Sequence, residues 1–236
     1  MTASAALRVE RPAQVYERLR TLIIRGRIAP GTRVVEKDIA DRLGVSRTPA
    51  REALLRLFQE GFLIATDTSR RVELAVAPLT REDLVDLYRI MGALEASASR
   101  GIEILSEAER RELVRDLRDL EGRFESAARE RKIDFDKMFD SHNAFHERLM
   151  DACAAPRHRA LLDTVRPQVE RYEWVYAPLV GPDYSATFAE HDAIIKAVRD
   201  GGPKGISRAV AANWDLGASR LSEVIGQAGA RGDWMD

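Results

Sequence analysis

The sequence lacks several features that define common protein classes. Its 236 residues include a single cysteine, Cys153, so neither an internal disulfide nor a cysteine metal cluster is available. It contains no run of about 18 apolar residues, and the N-terminal segment has no apolar core of the kind found in signal peptides. These absences predict a cytoplasmic protein that does not enter a membrane.

What the sequence does contain is enough apolar material for two domains, and these differ in charge. A chain of 236 residues with 45% hydrophobic content can bury more than one core. The formal net charge of -1 hides an asymmetry, because residues 1–78 carry +5 and the remainder carries -6. Phosphate attracts basic surfaces and repels acidic ones, so the first part is the candidate for nucleic-acid binding.

The first third of the chain has the order of elements of a helix-turn-helix. We expect residues 1–11 to be disordered and a folded domain to span residues 12–77. Apolar residues at helical spacing predict helices over 12–26 and 36–43. The second of these ends at Gly44, a residue that readily takes the positive φ needed to close a helix.

A third helix and a small hairpin complete this predicted domain. Ser46 is a good N-cap for the third helix, which continues with an apolar inward face. Residues 62–65 and 72–76 read as two short strands on either side of a turn at 67–71. Three helices followed by a hairpin indicate a winged helix.

Residues 78–230 read as a second domain that is helical throughout. The apolar spacing shows no convincing two-residue alternation, so strands are not expected there. Helices are predicted at 81–101, 106–131, 133–153, 156–177, 184–200 and 203–227. The fold class is therefore mostly α, with an N-terminal winged helix-turn-helix and a C-terminal all-α antiparallel bundle.

The start of the third helix carries residues suited to contact DNA bases. Arg47 and Arg51 are four residues apart and share a helix face, with Thr48 beside them. Arginine can bond bidentately to guanine, and threonine can bond a phosphate or contact the thymine methyl group. Lys37 is placed for a phosphate contact. At the predicted wing, two further cations could reach phosphate or the minor groove; these are Arg70 and Arg71.

The stretch from Gly26 to Leu63, GRIAPGTRVVEKDIADRLGVSRTPAREALLRLFQEGFL, resembles the DNA-binding domain of the GntR family of bacterial transcription regulators. Its GxxxPG, LGVSRTPxREAL and EGxL elements carry the resemblance, and the helical domain resembles the FCD domain of the FadR subfamily. The resemblance implies operator contacts at Lys37, Arg47, Thr48 and Arg51 and a wing that enters the minor groove. The glycine usual near the wing tip is absent, which shifts the expected tip contact from backbone to arginine.

The second domain contains a candidate metal or effector site built from histidines. His142 and His146 are four residues apart on a predicted helix, so both imidazoles lie on one face and can chelate one ion. His191, on a later helix, could supply a third ligand. Three imidazoles suit Zn²⁺, Ni²⁺ or a similar divalent ion.

The site departs from the usual FCD pattern at three positions. His142 stands where the family usually has an aspartate, and Asn213 stands where it usually has the last histidine. Met91 replaces an arginine that often meets a carboxylate effector. The effector site is thus expected to include Met91 and Asn213 together with the three histidines. A metal-free pocket, in which the histidines and Asn213 hydrogen-bond an organic effector directly, remains the alternative.

The sequence as a whole predicts a homodimeric regulator that binds double-stranded operator DNA and responds to a small metabolite, such as an organic acid. A repressor released by its effector is the favoured form. The alternatives are a dimeric DNA-binding protein with no effector and a metal-dependent hydrolase. The hydrolase is disfavoured because the HNAFH stretch has Asn143 where a HExxH metalloprotease keeps its general-base glutamate. We therefore expect no enzyme activity.

Overall fold

The computed structural model describes residues 11–68 and 71–231. The chain divides into two compact units, one formed by residues 1–80 with 230–236 and the other by residues 81–229. None of the helices in the described part of the chain is both long and apolar enough to span a membrane.

The first unit contains three helices and a three-stranded antiparallel sheet of order β1-β3-β2. Its core is made from the inward faces of the first and third helices and of the sheet, with Val15, Leu19, Leu57 and Val76 all fully or almost fully buried. The elements are α1 (Pro12–Ile24), β1 (Arg33–Val34), α2 (Glu36–Leu43), α3 (Arg47–Gln59), β2 (Leu63–Thr68) and β3 (Arg71–Val76).

The structure refines the predicted winged helix in three places. Gly44 ends α2 with a φ of 70°, as expected for a left-handed helix cap. Ser46 occupies the N-cap position of α3, but its side chain makes no capping hydrogen bond. The short strand β1 was not predicted, because two residues are too few to show an alternating pattern. It pairs with β3 through Arg33 opposite Ala75.

The second unit is entirely helical, in agreement with the predicted fold class. Its boundaries follow local signals, such as the reciprocal hydrogen bonds between Ser106 and Glu109 that cap one helix. The helices are α4 (Arg81–Ala98), α5 (Glu107–Ala128), α6 (Phe135–Cys153), α7 (Pro156–Tyr176), α8 (Ser185–Asp200) and α9 (Pro203–Ala228), with a 3-10 segment at Ser99–Ile104 and another at Ala177–Leu179.

Close packing of α4 against α9 fixes one wall of the functional site. Gly92 of α4 lies against Trp214 of α9, and a Cβ atom added at Gly92 would stand 2.9 Å from the Trp214 Cβ. Any larger residue would push the two helices apart. The absence of a side chain at Gly92 therefore lets Trp214 pack deep in the bundle. There the indole Nε1 donates to the Glu95 carboxylate at 2.7 Å.

Candidate functional site

The first candidate surface is the N-terminal end of α3 in the first unit. Arg47, Thr48 and Arg51 are all exposed there, whereas Ala50 on the opposite side of the helix is fully buried. Lys37, in the first turn of α2, is also exposed. Within residues 11–68 and 71–231, no ion-pair partner is found for Lys37, Arg47 or Arg51. Their charges are therefore available to an external anion.

The wing of the first unit is a hairpin in which β2 and β3 pair as far as Thr68 opposite Arg71. Of the two predicted wing cations, Arg70 lies outside the described residues. Arg71 begins β3, and its side chain also falls outside the described part. The predicted wing contacts therefore remain predictions.

In the second unit the structure brings the three predicted histidines together. One ring nitrogen from each of His142, His146 and His191 lies within 4.8 Å of the other two. His146 and His191 are buried, and His142 is half-buried. Nitrogen ligands of tetrahedral zinc lie roughly 3.4 Å apart at a Zn–N distance of about 2.0–2.1 Å. A small inward movement of the rings would therefore complete a three-nitrogen site.

Two buried glutamates contact two of these rings. Burial raises the pKa of Glu121 to about 8, so a cation such as a metal ion on His191 would favour its ionised form. The Nδ1 atom of His191 lies 2.5 Å from Glu121, and the Nδ1 atom of His146 lies 3.3 Å from Glu95. A carboxylate that holds one ring nitrogen leaves the other nitrogen free to bind a ligand. The Nε2 atom of His191 is buried and makes no hydrogen bond within the described residues. An ion or a ligand donor would satisfy this atom.

The electrostatic setting keeps His142 and His191 neutral. Burial, reinforced by the neighbouring His146, lowers the pKa of His142 to about 3. Burial also lowers the pKa of His191 well below its usual value. Metal ions bind the neutral form of imidazole, so these rings need lose no proton near neutral pH. The donor set thus fits a divalent transition metal.

The other two predicted effector residues have different surroundings. Asn213 forms part of the wall of a cavity beside the histidines, and its amide nitrogen donates to Glu190 at 3.0 Å. Its carbonyl oxygen is therefore the atom left for a metal or a ligand. Met91 is fully buried in α4 and is not among the residues that line the cavity. It packs in the bundle interior instead.

His142 and His146 open onto a cavity of about 80 Å³, whereas His191 is not among the residues of its wall. Because a single water needs at least about 10–15 Å³ by this measure, the space is sufficient for several waters or a small organic ligand. The wall is mostly aromatic and apolar, with a few polar groups. It is formed by Tyr88, Phe124, Met138, Phe139, His142, His146, Glu173, Ala177, Val180, Tyr184, Thr187, Asn213, Trp214, Gly217, Arg220 and Leu221.

A buried ion pair stands behind this cavity and was missed by sequence reasoning. Glu95 is fully buried and accepts hydrogen bonds from Arg166 and Trp214. The Arg166 guanidinium, together with His146, holds the pKa of Glu95 down to about 2 against the opposing effect of burial. Position 91 has a methionine instead of an arginine, but Arg166 of α7 brings a guanidinium into the bundle. This guanidinium binds the Glu95 carboxylate of the protein itself. A signal was present, because Glu95 falls in helical register with the buried Tyr88 and Met91.

Comparison with known families covers both units. The model for bacterial regulatory proteins of the gntR family matches residues 12–70. The model for the FCD domain matches residues 86–215, more than half of the chain.

Individual proteins agree with these matches. YdhC of Bacillus subtilis, an HTH-type transcriptional regulator, is 32% identical over 142 residues, which is 58% of each chain. BphR of Paraburkholderia xenovorans is 31% identical over 158 residues, 66% of this chain and 63% of that protein. The chain thus spans about three-fifths of the length of these two relatives. The repressor RspR of Escherichia coli is 27% identical over 213 residues, 89% of each chain.

Solved structures share the fold. Escherichia coli McbR superposes with a TM-score of 0.68 and 21% identity, over 92% of this chain and 99% of that one. A GntR regulator from Rhodococcus gives the same TM-score over 91% of this chain and 97% of that one. The relatives are named as transcriptional regulators, which confirms the expectation that the chain is not an enzyme. The chain therefore belongs to the GntR family of bacterial regulatory proteins, and its helical unit carries an FCD domain.

Proposed function

We propose that this protein is a homodimeric transcription repressor that binds operator DNA through α3 and is released by a small molecule bound in the helical unit. The observation that carries the proposal is the combination of two features in one chain. An exposed cationic helix start lies in a winged helix, and a mostly apolar cavity with a few polar groups lies inside the second unit. The first feature can read DNA, and the second can hold a signal.

The α3 surface has the chemistry of direct base reading. Arg47 and Arg51 present guanidinium forks from one face of the helix start, and Thr48 lies between them. A dimer would place two such helices in major grooves about one helical turn apart, related by its two-fold axis. The cation at Lys37 would contact a phosphate and hold the helix in register.

Repression released by a ligand follows from linkage between the two sites. A ligand weakens DNA binding only to the extent that it prefers the conformation with lower DNA affinity. The cavity is lined by side chains from several helices, so a bound ligand can favour one helix arrangement over another. The full-length similarity to RspR, which is named as a repressor, supports this direction of control.

The three histidines would hold one divalent ion, Zn²⁺ or Ni²⁺, in each subunit. The unsatisfied Nε2 atom of His191 and the carboxylates behind His146 and His191 support this assignment. The ion would fix the ring positions and offer a remaining coordination position to water, the Asn213 carbonyl or the effector. Its charge would also favour ligand atoms with free lone pairs at this end of the cavity.

DNA reading is tested with duplexes that the full-length chain enriches from a random library. Arg51→Ala should lose about 1–3 kcal/mol of binding free energy on the selected duplex and relax preference at one base position. Arg115→Ala, an exposed arginine of α5, is the matched control and should bind as the wild type does. Equal binding of selected and scrambled duplexes by Arg51→Ala and the wild type would show that α3 does not read bases.

The metal assignment is tested by elemental analysis of purified protein. His146→Ala should lose most of the metal content, because it removes one of three nitrogens and leaves Glu95 without its ring partner. His158→Ala provides the control, since His158 contacts Ser97 at 3.2 Å and lies outside the cluster. Full metal content in His146→Ala would contradict the site as drawn.

A further inference from the structure

Glu173 of α7 is a buried carboxylate that faces the cavity with few partners. Its side chain is 8% exposed and forms part of the cavity wall. Within the described residues it makes one hydrogen bond, a long one of 3.5 Å from the Tyr88 hydroxyl. Burial raises the pKa of Glu173 above its ordinary value. The ionised form therefore lacks the donors that usually stabilise a buried carboxylate.

The nearby arginines do not supply those donors, because other carboxylates engage them. Arg220 also lines the cavity, but both of its terminal nitrogens bond to Glu190, one of them at 2.8 Å. Arg166 bonds to Glu95 and, through its Nε atom, to Glu147 at 2.6 Å. His146 and Arg166 partly offset the rise in the Glu173 pKa, but within the described residues no cation donates a hydrogen bond to Glu173. An anionic ligand would find no free cationic side chain and would meet this carboxylate.

The wall around Glu173 is aromatic. The ring centroids of Tyr88 and Trp214 are 5.1 Å apart in an edge-on arrangement. Phe124, Phe139 and Tyr184 continue the wall. Aromatic faces attract cations, most strongly when water is excluded, and their area also binds an apolar ligand body. A carboxylate beside such faces is an arrangement suited to an ammonium group.

We propose that the ligand of this cavity is an organic amine, with its ammonium group at Glu173 and an apolar body against the aromatic wall. This replaces the organic acid expected from sequence. The proposal rests on the proposed function in that it takes this cavity as the ligand site. The ammonium group would donate to the open Glu173 oxygen and place a positive charge in direct contact with it. The proposal concerns the end of the cavity at Glu173 and holds whether or not the histidines carry a metal.

Three probes with the same ring isolate the charge of the ligand. Benzylamine is cationic at neutral pH, benzyl alcohol is neutral and benzoate is anionic. Binding is measured by calorimetry and by the shift of the melting temperature on full-length protein freed of metal with a chelator, because an ion at the histidines would offer the benzoate carboxylate a coordination position of its own. Benzylamine should bind most tightly and benzoate most weakly. Tighter binding of benzoate than of benzylamine, or no measurable binding of benzylamine at millimolar concentration, would overturn the proposal.

Variants then locate the ammonium group. Glu173→Gln keeps the size of the side chain and an acceptor for Tyr88, and it should weaken benzylamine about 10- to 100-fold with little change for benzyl alcohol. Glu112→Gln, at an exposed position of α5, is the control and should change neither. Circular dichroism verifies that both variants are folded. Unchanged benzylamine affinity in a folded Glu173→Gln protein would overturn the assignment.

A DNA-release assay separates this proposal from the proposed function. Benzylamine binding that depends on Glu173 but leaves DNA binding unchanged would support the ligand class and contradict ligand-controlled release. Release by benzoate with no effect of benzylamine would support ligand control and overturn the ligand class.

Discussion

The two units of the chain differ in where their polar side chains lie. The first unit carries them at the surface, and the second also carries them in its interior. In the first unit the charged residues at the start of α3 are exposed over an apolar core. The buried polar and charged residues of the described part all belong to the helical unit; they are Glu95, Ser99, Glu121, His146, Arg166, Arg171, Glu173, His191, Asn213 and Ser222. The first unit thus exposes its charged residues to solvent, and the second encloses polar groups in its interior.

This difference implies different costs in the two units. An exposed arginine remains hydrated and contributes little to folding, so it can be kept for binding alone. A buried charge loses its hydration and must be compensated by partners within the fold. The helical unit compensates most of its buried charges in pairs, such as Glu95 with Arg166. Where a buried polar group lacks partners, as at the Glu173 carboxylate and the neutral His191 ring, a ligand can supply them.

The comparison predicts that the largest effect comes from breaking the buried pair. Arg166→Leu would leave Glu95 without its cation and should lower the free energy of unfolding by about 3–5 kcal/mol. Urea denaturation followed by the fluorescence of Trp174 and Trp214, both in the helical unit, measures this loss. Arg118→Leu, at an exposed position of α5, should cost much less.

A double variant separates charge from packing at the same site. Adding Glu95→Gln to Arg166→Leu removes the uncompensated charge and should restore a large part of the lost stability. Equal stabilities of Arg166→Leu and Arg118→Leu would show that the buried pair does not stabilise the helical unit.

The next largest effect should come from the apolar core of the first unit. Leu57 is fully buried in α3, and Leu57→Ala should destabilise that unit by about 2–5 kcal/mol through loss of burial and creation of a cavity. DNA binding should fall with it, while benzylamine and metal binding in the helical unit should persist. Gel shift and calorimetry on the same sample test the two parts.

Leu55 provides a matched control in the same helix. It is 55% exposed, so Leu55→Ala should change stability by no more than about 0.5 kcal/mol. Loss of ligand binding together with DNA binding in Leu57→Ala would show that the two units do not fold separately.

The same contrast explains what could be predicted from the sequence. Helix spacing and caps are local, so the helix positions, Gly44 and the pair His142 and His146 were all recognisable from neighbouring residues. The placement of His191 beside that pair is a long-range contact, which the sequence offered only as a possibility that the family resemblance then supported. The α3 residues could be proposed as DNA contacts because they lie in one short segment.

The buried polar pairs around the histidine site were not predicted because their partners lie far apart in the chain. Glu95 and Arg166 are separated by 71 positions, and Glu121 and His191 by 70. Each of these residues lies among the buried positions of its own helix, where polar side chains are unusual. A polar residue at a buried position needs a partner in the folded protein. Only the packing of the helices shows which partner it has.

A smaller effect is expected from the carboxylate behind His191. Glu121→Ala removes the acceptor that orients the ring, and it should weaken metal binding about 10- to 100-fold. Competition with a chromogenic chelator measures the affinity. Glu112→Ala, at an exposed position of the same helix, should bind metal as the wild type does. The same affinity in Glu121→Ala would mean that the ring is held by packing alone.

The smallest effect should come from the exposed cation of α2, and its form distinguishes positioning from base reading. Lys37 is exposed and has no ion-pair partner within the described residues, so Lys37→Ala should leave folding unchanged. A phosphate contact carries no base information, so the loss should be roughly 1 kcal/mol or less and equal on selected and scrambled duplexes. The slope of log affinity against log salt should fall by about one, because one fewer counterion is released. Lys132→Ala, an exposed lysine of the helical unit, should keep the wild-type slope. A loss confined to the selected duplex would instead place Lys37 against a base, and the reading surface would then extend from α3 onto α2.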